Sequence, residues 1–86
     1  MTYQIRIPKA VQKQLQKIPD PNKQRIIENL LQMREDPRLG NAIKMKNSQG
    51  YRLRIGDYRI LYDIDDANQI VTIRRIAHRR EVYRQP

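Results

Sequence analysis

The chain has 86 residues, enough for one domain (1–86) with a modest core, and its 18 Lys plus Arg against nine Asp plus Glu give a net charge of +9. With a pI near 10.4 it carries the footprint of a polyanion binder, nucleic acid ahead of a membrane surface or an acidic protein. The absence of cysteine and the single histidine, His78, exclude a disulfide framework and a thiolate nucleophile and leave no zinc ligand set; no cofactor is expected, and without a membrane-length apolar run or a signal-peptide core the protein is expected to be cytoplasmic.

Residues Tyr3 to Ile7 alternate as a short strand, and Pro8 suits the first turn of a following helix. Val11, Leu15 and Ile18 form one apolar stripe at i, i+4 and i+7; Lys9, Lys13 and Lys17 form a second, solvent-facing stripe at i+4 spacing. Pro19-Asp20-Pro21-Asn22 stops this helix and starts another, with Asp20 expected as N-cap and Pro21 at the first position. The second helix is predicted to run to about Asp36, burying Ile26, Ile27, Leu30 and Leu31, before Pro37 ends it. A polar loop from Arg38 to Gly50 follows, with a short strand near Ile43 to Lys46.

The block from Tyr51 to Tyr62, YRLRIGDYRILY, reads as a β-hairpin. Side chains alternate along a strand, so Tyr51, Leu53 and Ile55 face one way and Arg52 and Arg54 the other. A two-residue loop at Gly56-Asp57 pairs Ile55 with Tyr58, Arg54 with Arg59 and Leu53 with Ile60. Two like charges directly opposite cost up to ~1 kcal/mol, a cost that makes sense if a polyanion lies between them. Asp65-Asp66-Ala67-Asn68 makes a turn, and Gln69 to Ala77 returns antiparallel. An even turn puts Arg74 on the face of Arg59 and Leu61, with Val71 and Ile73 beside Tyr58, Ile60 and Tyr62 under the helices. The fold class is therefore α+β: an N-terminal strand and a two-helix hairpin packed on a small, mostly antiparallel sheet.

The segment from Ala77 to Arg84, AHRREVYR, collects groups suited to RNA chemistry. Cutting a ribose phosphodiester without metal needs a base for the 2′-hydroxyl proton, cations for the phosphorane charge and an acid for the departing 5′-oxygen. Arginine stays charged, so Arg52, Arg54, Arg59 and Arg79 can clamp phosphate but cannot shuttle protons. His78 and Tyr83 are the candidate acid and base, with cationic neighbours favouring a tyrosine phenolate. Arg74, Arg80, Arg84, Lys9, Lys13, Lys17, Lys44 and Lys46 are candidates for contact with RNA or the ribosome. Each has a plainer reading: arginine rows and lysine stripes also serve as solvated faces, and a histidine or tyrosine near a strand end often simply packs.

Taken together, the N-terminal strand, the helical hairpin, the 51–62 block and the His-Arg-Arg-Glu-Val-Tyr ending come in the order of the RelE toxins, and the chain resembles that branch of the RelE/ParE superfamily over essentially its whole length. The resemblance implies a microbial-ribonuclease-like fold that binds the ribosomal A site and cleaves mRNA there by 2′-hydroxyl attack. A cognate antitoxin is the implied partner, besides ribosome and mRNA. By position, the family's basic pair falls on Arg52 and Arg54, its second-strand arginine on Arg59, and its C-terminal arginine and tyrosine on Arg79 and Tyr83. Well-known members carry lysine at the places of Arg52 and Arg54, which leaves the base to His78 or Tyr83. Two alternatives stay open: a ParE-like gyrase poison with no nuclease centre, and a basic nucleic-acid-binding domain without chemistry.

Overall fold

A computed structural model describes residues 2–40, 42–45 and 50–80. The elements run β1 (Gln4–Arg6), α1 (Lys9–Gln16), α2 (Asn22–Gln32), β2 (Ile43–Lys44), β3 (Gly50–Ile55), β4 (Tyr58–Asp65) and β5 (Ile70–His78). One five-stranded sheet has the order β1-β5-β4-β3-β2. All pairings are antiparallel except β1 with β5, which is parallel. The α+β architecture expected from the sequence is the one observed.

Both helices lie on one face of the sheet because each has one apolar stripe to bury. Val11 and Ile18 from the first helical segment, and Ile26, Leu30 and Met33 from the second, meet Leu53, Ile55, Ile60, Tyr62, Ile64, Val71, Ile73 and Ile76 from the strands. Leu31 was expected inside but is 58% exposed. The helix turns the core over to Met33, three residues beyond Leu30, and leaves Leu31 on the outer side. Ile27 is half-buried. The element ends also differ from expectation. Pro8 stands one place outside α1 as its N-cap, with φ −58° and ψ 156°. The Asp20-Pro21 bond is cis; Pro21 occupies the cap position of α2, and no side chain caps it.

Helix α1 also closes an exposed strand edge. Strand β1 accompanies β5 only as far as Thr72, so the rest of that edge needs another partner. The Ile76 amide donates to the Gln14 side-chain carbonyl at 2.9 Å, which sets the helix along the edge.

At the opposite end of the sheet, Tyr62 is fully buried and donates its hydroxyl to the Pro37 carbonyl at 2.8 Å. Burial pushes that phenol up to about 12. Above it, Tyr51 stacks on Tyr62 with ring centroids 5.9 Å apart, and Arg38 stands over the Tyr51 ring at 5.3 Å. Arg38 grips Asp66 with two guanidinium nitrogens, at 3.1 and 2.8 Å, and donates through Nε to the Tyr51 hydroxyl. Tyr3 donates to the same carboxylate at 2.7 Å. Asp66 thus ties together the N-terminal segment, the post-helical loop and the β4–β5 turn.

These bonds, first Arg38 and then Tyr3, hold the Asp66 carboxyl at about 2 against an ordinary 3.8. A carboxylate favoured in the folded state stabilises above its ordinary pKa, and that contribution is lost as pH falls toward the folded value. The wild-type thermal midpoint should therefore drop between pH 4 and 2 more steeply than that of Asp66→Asn, followed by circular dichroism. Equal drops would mean that this tie does not report on acid stability.

Candidate nucleic-acid interface

The hairpin formed by β3 and β4 has the register expected from its loop: Ile55 opposite Tyr58, Arg54 opposite Arg59, Leu53 opposite Ile60 and Arg52 opposite Leu61. Gly56 carries φ +57°, the left-handed conformation that a type II′ turn requires at its first loop position. Leu53, Ile60 and Tyr62 are fully buried beneath the helices. By alternation Arg52, Arg54, Arg59 and Leu61 project from the other face.

Strand β5 completes that face in a way the sequence reading did not foresee. Asp65 pairs with Ile70 across a four-residue loop, so Val71 and Ile73 enter the core as expected. The register then shifts at Leu61/Tyr62: Tyr62 faces Ile73, Leu61 faces Arg75 and Ile60 faces Ile76. One extra residue, Arg74, is accommodated there as a β-bulge. Arg74 ion-pairs with Asp63, and Arg75 takes the place opposite Leu61 that simple alternation would have denied it. The signal was present in the sequence, where buried positions 71, 73 and 76 break a strict period of two between Ile73 and Ile76.

Five arginines therefore share one face: Arg52, Arg54, Arg59, Arg74 and Arg75. Direct neighbours on adjacent strands have Cβ atoms roughly 5 Å apart, a spacing at which two guanidinium groups can hold oxygens of one phosphate. Arg59 sits deepest, 6% exposed, with a guanidinium nitrogen donating to the Tyr58 carbonyl. Arg54 is exposed and donates through Nε to the Gly56 carbonyl at 3.3 Å. Arg79 begins just past β5, and its amide donates to the Asp57 carbonyl at 2.6 Å, which fastens the chain to the hairpin loop beside Arg54 and Arg59.

Other expected site residues lie elsewhere. His78 pairs with Tyr58, meets its ring edge-on with centroids 5.4 Å apart, and lines a cleft of about 310 Å³ with Gln14, Lys17, Ile18 and Ile76. That cleft is on the helix side, so the geometry does not bring the imidazole onto the arginine face. Lys9, Lys13 and Lys17 are exposed along α1 and its end. Lys44 lines a separate recess with Arg38, Tyr51 and Asp66. Arg80 is exposed beyond Arg79. Lys46, Tyr83 and Arg84 fall outside the described residues.

Replacing Arg54 by glutamine should weaken association with a single-stranded polyphosphate, measured by fluorescence anisotropy, and flatten its salt dependence. Unchanged affinity and salt slope in the folded variant would take Arg54 out of the anion-binding face.

Comparison with known proteins agrees with this fold. Residues 5–83 match the family described as the ParE toxin of type II toxin-antitoxin system, parDE. Toxin RelG of Mycobacterium tuberculosis is 31% identical over 91 residues, which span 99% of this chain and 100% of that protein. The crystal structure of the RelE-RelB complex from Pyrococcus horikoshii contains a chain 29% identical, with a TM-score of 0.83 over 92% of this chain and 97% of that one. The isolated RelE toxin of E. coli, 21% identical with a TM-score of 0.77 over 94% of this chain and 90% of that one, shares the fold. The chain belongs to the RelE/ParE superfamily of type II toxin–antitoxin toxins, as a RelE-type member.

Proposed function

We propose that this toxin is a ribosome-dependent, metal-independent endoribonuclease that cleaves mRNA in the ribosomal A site, and that a cognate antitoxin neutralises it. The observation that carries the reading is the facing pair Arg54 and Arg59 at the centre of a five-arginine face. Support comes from the RelE-type relatives and from solved complexes of such toxins with RelB.

In this reaction the 2′-hydroxyl oxygen attacks the adjacent phosphorus and the 5′-oxygen leaves, producing a 2′,3′-cyclic phosphate. Negative charge builds on the phosphorane oxygens. Arg54 and Arg59 meet that charge, with Arg52 and Arg79 beside them. Fixed cations of this kind stabilise the transition state without reorganising. None of them transfers a proton at physiological pH. Tyr83 is assigned one proton transfer, and the other falls to the ribosomal site, which fits a cleavage that needs the ribosome to align the 2′-oxygen with the scissile bond.

The match to the ParE toxin family favours a second reading, a gyrase poison without nuclease chemistry. Mapping mRNA 5′ ends in a translation extract separates the two. Cuts within A-site codons that require ribosomes support the nuclease. Intact mRNA with folded protein, together with gyrase-linked DNA breaks, supports the alternative.

For the nuclease, Arg59→Ala should reduce cleavage roughly a hundredfold, about 3 kcal/mol of transition-state stabilisation. Arg59→Lys serves as a companion because Arg59 is buried. Near-wild-type cleavage by folded Arg59→Ala would remove this residue from the centre. Tyr83→Phe should keep ribosome association and lose rate; lost association would make Tyr83 a contact residue.

A further inference from the structure

We infer that His78 is a positioning residue, which caps the turn into Arg79 and Arg80 by accepting a backbone hydrogen bond at Nδ1, and does not act as the acid or base of the reaction. The inference rests on the nuclease reading for its consequence, but the cap itself stands on geometry alone.

Strand β5 ends at His78, where the chain must turn out of the sheet toward Arg79 and Arg80. Backbone amides at such a turn lose their strand partners and need acceptors. Arg79 finds one in the Asp57 carbonyl at 2.6 Å. Arg80 finds the other in His78 Nδ1 at 3.3 Å. This bond from a side chain to the amide two residues on is the pattern by which asparagine, aspartate and serine open helical turns. An imidazole nitrogen accepts only when it carries no proton, so the bond selects the tautomer with hydrogen on Nε2.

The ring is held for this role. Tyr58 lies directly across the strand pair and meets the imidazole at an interplanar angle of 83°. Ile76, two residues back on the same face, is 3% exposed and bonded to Gln14. The imidazole is thereby fixed on the helix side, while the main chain it caps is tied to the loop of the arginine hairpin. The arrangement sets the course of the main chain at Arg79 and Arg80. A proton shuttle needs hydrogen-bond reach to the reacting oxygens; this ring spends one nitrogen on a backbone amide and lies across the sheet from the arginines.

The test uses the full-length protein and two substitutions. His78→Phe keeps a ring against Tyr58 and removes the acceptor. His78→Asn removes the ring and supplies a good cap. Amide hydrogen exchange at Arg80, read by NMR, should accelerate about tenfold in His78→Phe, the size of one lost cap bond, and return toward wild type in His78→Asn. Ribosome-dependent cleavage should follow the same order, with His78→Phe losing kcat about tenfold at nearly constant KM and His78→Asn restored. Unchanged Arg80 exchange in His78→Phe would overturn the cap. If His78→Asn restores Arg80 protection yet cleaves as poorly as His78→Phe, the imidazole performs proton chemistry and the positioning role is refuted. Failure of the wild type to cleave on ribosomes would overturn the nuclease reading, while the exchange measurement would still decide the cap.

Discussion

The register of one two-residue turn governs the cationic face. Because strand side chains alternate, slipping β3 against β4 by a single residue would exchange Leu53 for Arg52 or Arg54 beneath the helices. Burying an unpaired guanidinium there would cost several kcal/mol, far more than the ~1 kcal/mol penalty of facing like charges. The apolar face therefore fixes the register, and the arginine pair follows from it. Gly56 makes the turn feasible through its φ of +57°. It is constrained a second time, since a Cβ there would come within 3.0 Å of the Asn22 side-chain oxygen at the start of α2. The hairpin tip and the second helix are consequently fitted to each other, so the helical layer and the arginine layer share a common point of reference.

A second constraint acts on β5. Its early half answers to β1 and its late half to α1, and the bulge at Arg74 lies between these two regimes. Without the extra residue, alternation from Val71 and Ile73 would put Arg75 into the core and expose Ile76. With it, Ile76 is buried, Arg75 joins the arginine face, and Arg74 reaches Asp63. Bulges bend a strand and increase its local twist, which turns the last residues of β5 toward the hairpin loop where Arg79 is tied.

The sequence made the hairpin legible because glycine and aspartate between two alternating blocks leave one short closure, and pairing followed directly. It made both helices legible by their stripes, yet misjudged Leu31, since a six-residue run with two adjacent apolar pairs at 26–27 and 30–31 does not say which member of each pair faces inward. Tertiary contact with Met33 decided that. Asp20 looked like a cap by residue type, but capping needs a backbone direction, and Pro21 took the position instead. The face that His78 occupies was not legible for a related reason: nearness in a motif says nothing about the face, and after the bulge His78 follows Ile76 to the helix side. Arg75 was signalled only by the break in the apolar period between Ile73 and Ile76, while the Asp66 tie was beyond reach because it arises from contacts across the fold.

An interface built from arginine divides labour in a way that lysine would not require. Lysine in the same places could hold phosphate in one protonation state and accept a proton in the other, once its pKa was lowered by crowding. Arginine gives up the second role and improves the first, because its planar fork can bind two phosphate oxygens together. A group that moves a proton at such a face has to lie outside the arginine set. What the described chain fixes is its own exit from the sheet: backbone bonds from Arg79 to Asp57 and from Arg80 to His78 set the course of the main chain at the end of β5. The hairpin that pairs Arg54 with Arg59 therefore also anchors the main chain where β5 ends.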